Sequence, residues 1–242
     1  MDELNRNKKK FLLGWLGVNL LGWIIGVFSG LYVGEFYLAP IIYLTFTSEI
    51  TRALSPLFVW LPHGAWIGIM QWGMLKKWKI QPVLWVIATS LGWGIPATAI
   101  SLYHENFFVK QFGYSSPYEI WFYGLGILLV GASVGLAQVL VMGNAIAKRA
   151  LWILANALGL LACILLLVTV IFLAMYLFPP ESSLGGRTFG FLMWVILFLT
   201  LPFVGMIPSL ATGLYLLKYG YDVPEGESNK PTNEIPLNQQ TS

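Results

Sequence analysis

The chain alternates between long apolar runs without charged residues and short segments rich in polar and charged side chains. Each run is long enough for the roughly 20 residues with which an α-helix crosses a bilayer. We therefore predict an all-α fold, a polytopic membrane bundle of six transmembrane helices. The predicted spans are Phe11–Gly34, Ala53–Leu75, Pro82–Tyr103, Ile120–Ala147, Ala150–Phe178 and Thr188–Leu217.

Composition and charge agree with this class and predict an orientation. Only 10% of the residues are charged, against about 25% in soluble domains. Because alternate loops are basic, the positive-inside rule predicts that both termini are cytoplasmic. The net charge of +3 follows from this bias and does not indicate nucleic-acid binding. The residues that make these alternate segments basic are Arg6, Lys8, Lys9, Lys10, Lys76, Lys77, Lys79, Lys148, Arg149 and Lys218.

The chain also contains an internal repeat. Residues 61–92 match residues 128–159 at ten positions, among them glycine, glutamine and tryptophan, and part of the unit recurs near Trp15. We predict three degenerate two-helix hairpins, at about 11–76, 82–147 and 150–217, within one membrane domain of residues 1–218. In the third hairpin, Gly205 and Pro208 are expected near the positions of Gly68 and Gln71, so that the amide is lost.

Segments outside the spans have distinct compositions. Residues 219–242 are polar and rich in proline, which predicts a disordered cytoplasmic tail. Glu35–Arg52 contains the apolar run Phe36–Leu44, which is broken by proline and too short to span, and is expected to lie along the outer interface or to be re-entrant. Tyr103–Glu119 carries several aromatic residues and is expected to form an interfacial belt.

Glycines and amides recur at helical spacing within the predicted spans. Glycines four residues apart let two helix backbones approach closely in lipid, so we interpret them as packing residues. The amides lie in the half of the bilayer nearer the basic loops, where an unpaired amide is costly. One hypothesis is that Gln71 and Gln138 bond to Asn or Thr of neighbouring hairpins; the other is a polar vestibule that binds a small ligand or headgroup. The candidate ligand-binding residues are Gln71, Gln138, Asn19, Thr89, Asn156, Trp15, Trp85 and Trp152.

Few residues in the sequence are candidates for catalysis or metal binding. All eleven acidic residues fall in loops, span ends or tails, and no nucleophile, zinc or phosphate-loop motif is present. We therefore predict no enzymatic activity and no cofactor. His63, beside Pro62, is the one weak candidate for a metal ligand, of a haem or pigment; its alternative role is to bond a carbonyl freed by the proline.

The repeated unit resembles a known group of proteins. Gly68-Ile-Met-Gln71-Trp72 is followed by Trp85-x3-Thr89-x2-Gly92-Trp93, and the unit recurs as Gly135-Leu-Ala-Gln138 and Trp152-x2-Ala155-Asn156-x2-Gly159. It is similar to a motif of uncharacterised multi-pass membrane proteins of cyanobacteria and other bacteria. The resemblance covers roughly Phe11–Leu160. It implies an internal-repeat helical bundle in a bacterial inner membrane, plasma or thylakoid, and implies no activity.

These observations predict a protein that binds or scaffolds within the membrane. Its expected partners are the lipid bilayer and another membrane protein or complex, a lipid or a hydrophobic ligand, and it is not expected to bind nucleic acid. A facilitative transporter or substrate-binding membrane subunit that uses the polar vestibule is the second hypothesis. A pigment- or haem-associated accessory protein that uses His63 is the third.

Overall fold

The computed structural model describes residues 2–30, 48–76, 80–112, 118–143, 148–177 and 205–220, with six isolated residues between 32 and 44. This part of the chain is helical and contains no strand, which confirms the predicted all-α class. The helices are α1 (Asp2–Ser29), α2 (Ser48–Leu75), α3 (Pro82–Tyr103), α4 (Glu119–Met142), α5 (Arg149–Leu177) and α6 (205–215).

Four of the described helical segments are long and apolar enough to cross a membrane. They are Arg6–Ser29, Pro82–Phe112, Trp121–Met142 and Arg149–Leu173. Helix α2 is as long as these but is not among the four; Pro62, His63 and Gln71 interrupt its apolar residues. The start of the last predicted span, residues 188–204, and the tail residues 221–242 lie outside the described residues.

Helix boundaries differ from the predicted spans where local chemistry extends or ends a helix. Helix α1 begins at Asp2 rather than Phe11, because the lysines before the apolar run are themselves good helix formers. Helix α4 ends at Met142 rather than Ala147, because Gly143 adopts φ 54° and its N–H caps the Val139 carbonyl. The predicted loop after Tyr103 is helical up to Phe112, through the π-helix His104–Phe108.

Glycines set the spacing between helices that follow one another in the chain. A Cβ atom added at any of seven glycines would lie 2.5–3.0 Å from the Cα atom of a residue on the next helix, so a larger residue would force the backbones apart. These pairs are Gly22–Ile67, Gly64–Ser90, Gly68–Val86, Gly92–Val134, Gly131–Ala157, Gly135–Ile153 and Gly159–Pro208. The glycines predicted to pack helices therefore do so, and each described helix lies directly against its successor.

Helix α6 returns to α1 and closes the bundle. Gly213 lies against Trp15, where a Cβ would be 2.7 Å from the indole Cδ1 atom, and Gly205 lies against Trp23. The first and last helices, about 190 residues apart in sequence, are therefore neighbours. As a result, all six described helices line the interior of the bundle.

The interior has three layers. The basic-end cluster is apolar and consists of Phe11, Trp15, Leu75, Ile80, Trp85, Val139, Met142, Trp152, Tyr215 and Leu216. A second apolar group, the inner cluster, consists of Trp23, Ile67, Trp93, Val130, Val134, Leu160 and Cys163. Between the two, each helix contributes one polar residue, and these six residues form the polar layer: Asn19, Gln71, Thr89, Gln138, Asn156 and Thr212.

Candidate functional site

Helical periodicity positions the polar layer. On α1, Trp15, Asn19 and Trp23 are four residues apart and share one face, so the amide lies between two buried indoles. On α3, Thr89 lies between two tryptophans at the same spacing. Five of the six layer residues are buried, and Asn156 is half-buried. No described side chain of the layer is ionisable, so the site is polar but uncharged.

Gln138 is the centre of the hydrogen-bond network. Its Oε1 atom accepts from the indole N–H of Trp152 at 3.2 Å. Its Nε2 atom donates to Thr89 Oγ1 at 3.2 Å and to Gln71 Oε1 at 3.3 Å. An indole N–H can only donate, so Trp152 determines which end of the Gln138 amide faces it. Gln138 thereby joins helices α2, α3, α4 and α5.

The network continues in one direction toward α1. Gln71 uses its Oε1 atom as an acceptor for Gln138, and its Nε2 atom donates to Asn19 Oδ1 at 2.8 Å. Asn19 Nδ2 donates in turn to the Trp15 carbonyl at 2.8 Å. Gln138, Gln71 and Asn19 therefore each donate and accept a hydrogen bond. Such pairing is what a buried amide needs in order not to be destabilising.

The amides bond differently from the predicted pattern. We expected Gln71 and Gln138 to bond Asn or Thr of neighbouring hairpins. Gln71 instead bonds Asn19 of its own helix pair, and Gln138 bonds Thr89 of its own pair. Within the polar layer, the bonds that join one pair to the next are Gln138–Gln71 and the indole bonds. The glycines that precede each glutamine lie against the first helix of the next hairpin, so they do not account for this pattern.

The three repeated tryptophans are fully buried in the basic-end cluster, but only two of their indole groups are paired. Trp152 donates to Gln138, and Trp15 donates to Thr212 Oγ1 at 3.2 Å. The Nε1 atom of Trp85 has no hydrogen-bond partner. An unpaired buried donor costs about 1–3 kcal/mol.

The contact of Trp15 corrects the expected alignment of the third hairpin. Thr212, not Pro208, occupies the role of the glutamines, and Pro208 packs against Gly159 instead. Comparison of residues 131–142 with 205–216 contains the missed signal: Gly131, Leu136, Ala137 and Leu140 recur as Gly205, Leu210, Ala211 and Leu214. This repeat was missed for two reasons. A threonine replaces the amide, and the distance in sequence from the repeated tryptophan to this residue is seven residues longer in the third hairpin than in the second.

A small cavity adjoins the polar layer. Its polar wall consists of Asn19, Gln71, Gln138, Asn156, Ser209 and Thr212. The space open to the centres of water molecules is about 30 Å³, and one water needs about 10–15 Å³ by this measure. There is thus room for about two water molecules. Among the described residues, this cavity is too small for a lipid headgroup.

His63 is enclosed by aromatic side chains. Its side chain is 1% exposed, and its ring centroid lies 4.8, 5.4 and 4.9 Å from those of Trp23, Trp60 and Trp93, each nearly perpendicular to it. Neither ring nitrogen has a hydrogen-bond partner, so bonding to a carbonyl freed by Pro62 is not observed. The imidazole thus lies between three indoles and the backbone of Gly26.

At the end of α3 lies a second polar contact, which the sequence analysis missed. His104 Nε2 is 3.0 Å from Glu119 Oε1 and 3.3 Å from the Tyr123 hydroxyl. Phe108 and Phe122 flank the imidazole, with ring centroids 5.5 Å away. This contact joins the helical extension of α3 to the start of α4, so the aromatic segment is a packed cap on these two helices.

The chain was compared with family models, with curated proteins and with solved structures, and none of them matches it.

Proposed function

We propose that this protein is a non-enzymatic integral membrane protein that binds or scaffolds within the bilayer. The hydrogen-bond network of the polar layer carries this proposal, because Asn19, Gln71 and Gln138 bond in series and the adjoining cavity has room for about two waters. A layer closed in this way holds helices in one arrangement and does not admit a solute. Its task is then to present a fixed outer surface to a membrane partner, lipid or hydrophobic ligand.

The polar layer would act by specifying which helix faces meet. In lipid there is no hydrophobic drive between helices, so close packing and interhelical hydrogen bonds determine their arrangement. Asn19 lies nine residues beyond Lys10, which is roughly 13 Å along a helix. At such a depth a slipped helix would leave amides unpaired in hydrocarbon, at a cost of about 1–3 kcal/mol each. The network thus favours a single register.

The outer surface fits a partner that is itself apolar. Leu140 is 76% exposed, and exposed leucines continue along every described helix except α2, where Ile69 is exposed. Such an apolar surface is unfavourable in water and is complementary to lipid tails or to the transmembrane helices of another protein. A stable arrangement of the six helices would give such a partner the same surface each time.

We further propose that the chain crosses a bacterial inner membrane six times as three hairpin repeats, with both termini cytoplasmic. The glycine contacts support the repeat, because Gly22, Gly92 and Gly159 each meet the following helix at corresponding positions. The indole bonds support it as well, since Trp152 donates to the second helix of the middle hairpin and Trp15 to the second helix of the last hairpin. The basic loops support the orientation.

Cysteine labelling tests this topology. Cys163 is the single cysteine and is buried, so Cys163→Ala gives a background without reactive thiols. Added to it, Asn106→Cys should react with a membrane-impermeant maleimide in intact cells, and Asn7→Cys only after permeabilisation. Both positions are exposed. Labelling of both from the same side would mean that one helix among α1, α2 and α3 does not cross, and would overturn the six-span proposal.

Native mass spectrometry of the protein, extracted gently from its own membrane, tests the binding role. We expect a defined additional mass, either of a second protein or of a lipid or hydrophobic ligand. The outer-surface substitution Leu140→Ala serves as a comparison, because it leaves the polar layer intact. A bare monomer under conditions that preserve other membrane complexes would overturn stable complex formation as the function.

Facilitative transport is the second candidate, and the observation in its favour is the polar wall of the cavity. Transport would require the layer to open, since Gln71 and Gln138 now bond each other across it. In that case Gln71→Leu would abolish uptake in vesicles while the bundle stays folded. If scaffolding is the function, the same substitution lowers stability and partner retention together.

A further inference from the structure

Two lysines converge on one tyrosine at the basic end of the bundle. The Nζ atom of Lys148, at the start of α5, lies 4.8 Å from the centroid of the Tyr219 ring, and that of Lys218 lies 5.3 Å from it. The two ammonium groups are thus at most about 10 Å apart. Both lysine side chains are exposed, and Tyr219 is half-buried. We call these three residues the lysine clamp.

The bundle core holds the clamp in place. Trp152 packs against Tyr215 with ring centroids 5.3 Å apart, and Tyr215 packs against Tyr219 at 5.1 Å. The Tyr215 hydroxyl donates to the Lys148 carbonyl at 3.4 Å. Trp152 is itself bonded to Gln138 of the polar layer. A continuous series of contacts therefore fixes the start of α5 beside the end of α6.

The charge of the clamp is not balanced by the described residues. The only carboxylate side chain that the structure describes is Glu119, at the start of α4, and it bonds His104. An anion midway between the two ammonium groups would lie within about 5 Å of each, inside the Debye length of about 8 Å at physiological ionic strength. The N-terminus of α5 adds partial positive charge at the same place. Together these groups attract an anion.

Apolar stripes lead away from the clamp on both helices. On α6 and the π-helix Leu216–Gly220 that continues it, Leu210, Leu214 and Lys218 are four residues apart, and both leucines are exposed. On α5, Leu151, Leu154 and Leu158 follow Lys148 and are also exposed. The surface is therefore cationic at the end of the helices and apolar along their length. A free phosphate ion would contact only the cationic end, whereas a phospholipid would contact both the cationic end and the apolar leucines.

We propose that the lysine clamp binds the phosphate headgroup of an anionic phospholipid, whose acyl chains lie along the exposed leucines of α5 and α6. The ammonium groups pair with the phosphate, and the Tyr219 ring lies at the headgroup level, where tyrosine is favoured in membranes. This inference rests on the proposed membrane placement of the basic end. It also assigns a lipid class and a site to the binding role proposed above.

The test compares lipid binding by the full-length protein and by a Lys148→Gln/Lys218→Gln double variant, using native mass spectrometry with added phosphatidylglycerol or phosphatidylcholine. The wild type should retain phosphatidylglycerol preferentially. Each lysine near an anionic surface strengthens binding about fivefold, so the double variant should bind phosphatidylglycerol roughly 30-fold more weakly, with phosphatidylcholine unchanged. Lys148→Arg/Lys218→Arg should restore binding, because it keeps both charges.

The control is Lys9→Gln/Lys10→Gln, which removes two exposed charges from the same end of the bundle. It should lower phosphatidylglycerol binding far less than the clamp variant does. Equal losses in both double variants would overturn the clamp in favour of unspecific attraction to the basic end. If millimolar inorganic phosphate displaces phosphatidylglycerol completely, the clamp is a site for free anions, which would likewise overturn the proposal.

The chain's own acidic tail is the competing occupant, since Asp222, Glu225 and Glu227 follow Tyr219 closely. If the tail fills the clamp, wild type and clamp variant will bind phosphatidylglycerol equally weakly, and neutralising the three acids will raise binding only in the protein with intact lysines. That result overturns the lipid assignment. It leaves the topology unaffected, because cysteine labelling reports the spans independently.

Discussion

Gly131→Ala is expected to destabilise the bundle by about 3 kcal/mol or to prevent its assembly. The added Cβ atom would lie 2.7 Å from Ala157 Cα and 2.8 Å from the Asn156 carbonyl oxygen, both on α5. These are backbone atoms, so relief requires that α4 and α5 move apart rather than that a side chain rotates. Overpacking of a tight interface costs about 1–3 kcal/mol, and more where the backbone must shift.

The measurement is the free energy of unfolding in mixed detergent micelles, followed by circular dichroism. Gly124→Ala is the matched control, because it lies on the same helix and has no atom within 4 Å of the added Cβ. It should be neutral or slightly stabilising, since alanine favours helix over glycine by about 1 kcal/mol. Equal stability of the two variants would contradict the close α4–α5 contact.

Gln138→Leu is expected to lower the free energy of unfolding by about 2–4 kcal/mol. The side chain is 1% exposed and makes three interhelical bonds, to Trp152, Thr89 and Gln71. Interhelical side-chain bonds in membranes contribute about 0.6–2 kcal/mol each. The substitution also leaves the Trp152 N–H as a buried donor without a partner, which adds a desolvation cost. Gln71→Leu should cost less, because Gln71 makes two such bonds.

The same unfolding measurement with Gln111→Leu provides the control, since this glutamine is exposed on the helical extension of α3. That change should alter the free energy of unfolding by less than about 0.5 kcal/mol. Under the binding proposal, Gln138→Leu should also lose the additional mass seen in native spectra. A Gln138→Leu protein as stable as wild type would show that the polar layer does not hold the bundle together.

Five of the six polar-layer residues could be predicted from the sequence, but their hydrogen bonds could not. The spacing of Trp15, Asn19 and their repeats placed these residues at one depth, because helices of equal rise carry repeated residues to equal heights. Which amide meets which partner depends on helix rotation, and rotation is set by glycine contacts between residues distant in sequence. The role of Thr212 was missed for this reason, since only its position beside Trp15 identifies it.

The sequence by itself determined the helical class, the ends of α3 and the packing role of the glycines. Local periodicity, apolar run length and glycine spacing carry that information, since each depends on residues close together in the chain. Only the tertiary structure decided that α6 lies against α1, that His63 is enclosed by three indoles, and that Lys148 meets Lys218 at Tyr219. These contacts join residues far apart in sequence. They exist because close packing in three dimensions selects one arrangement among many that the local pattern permits.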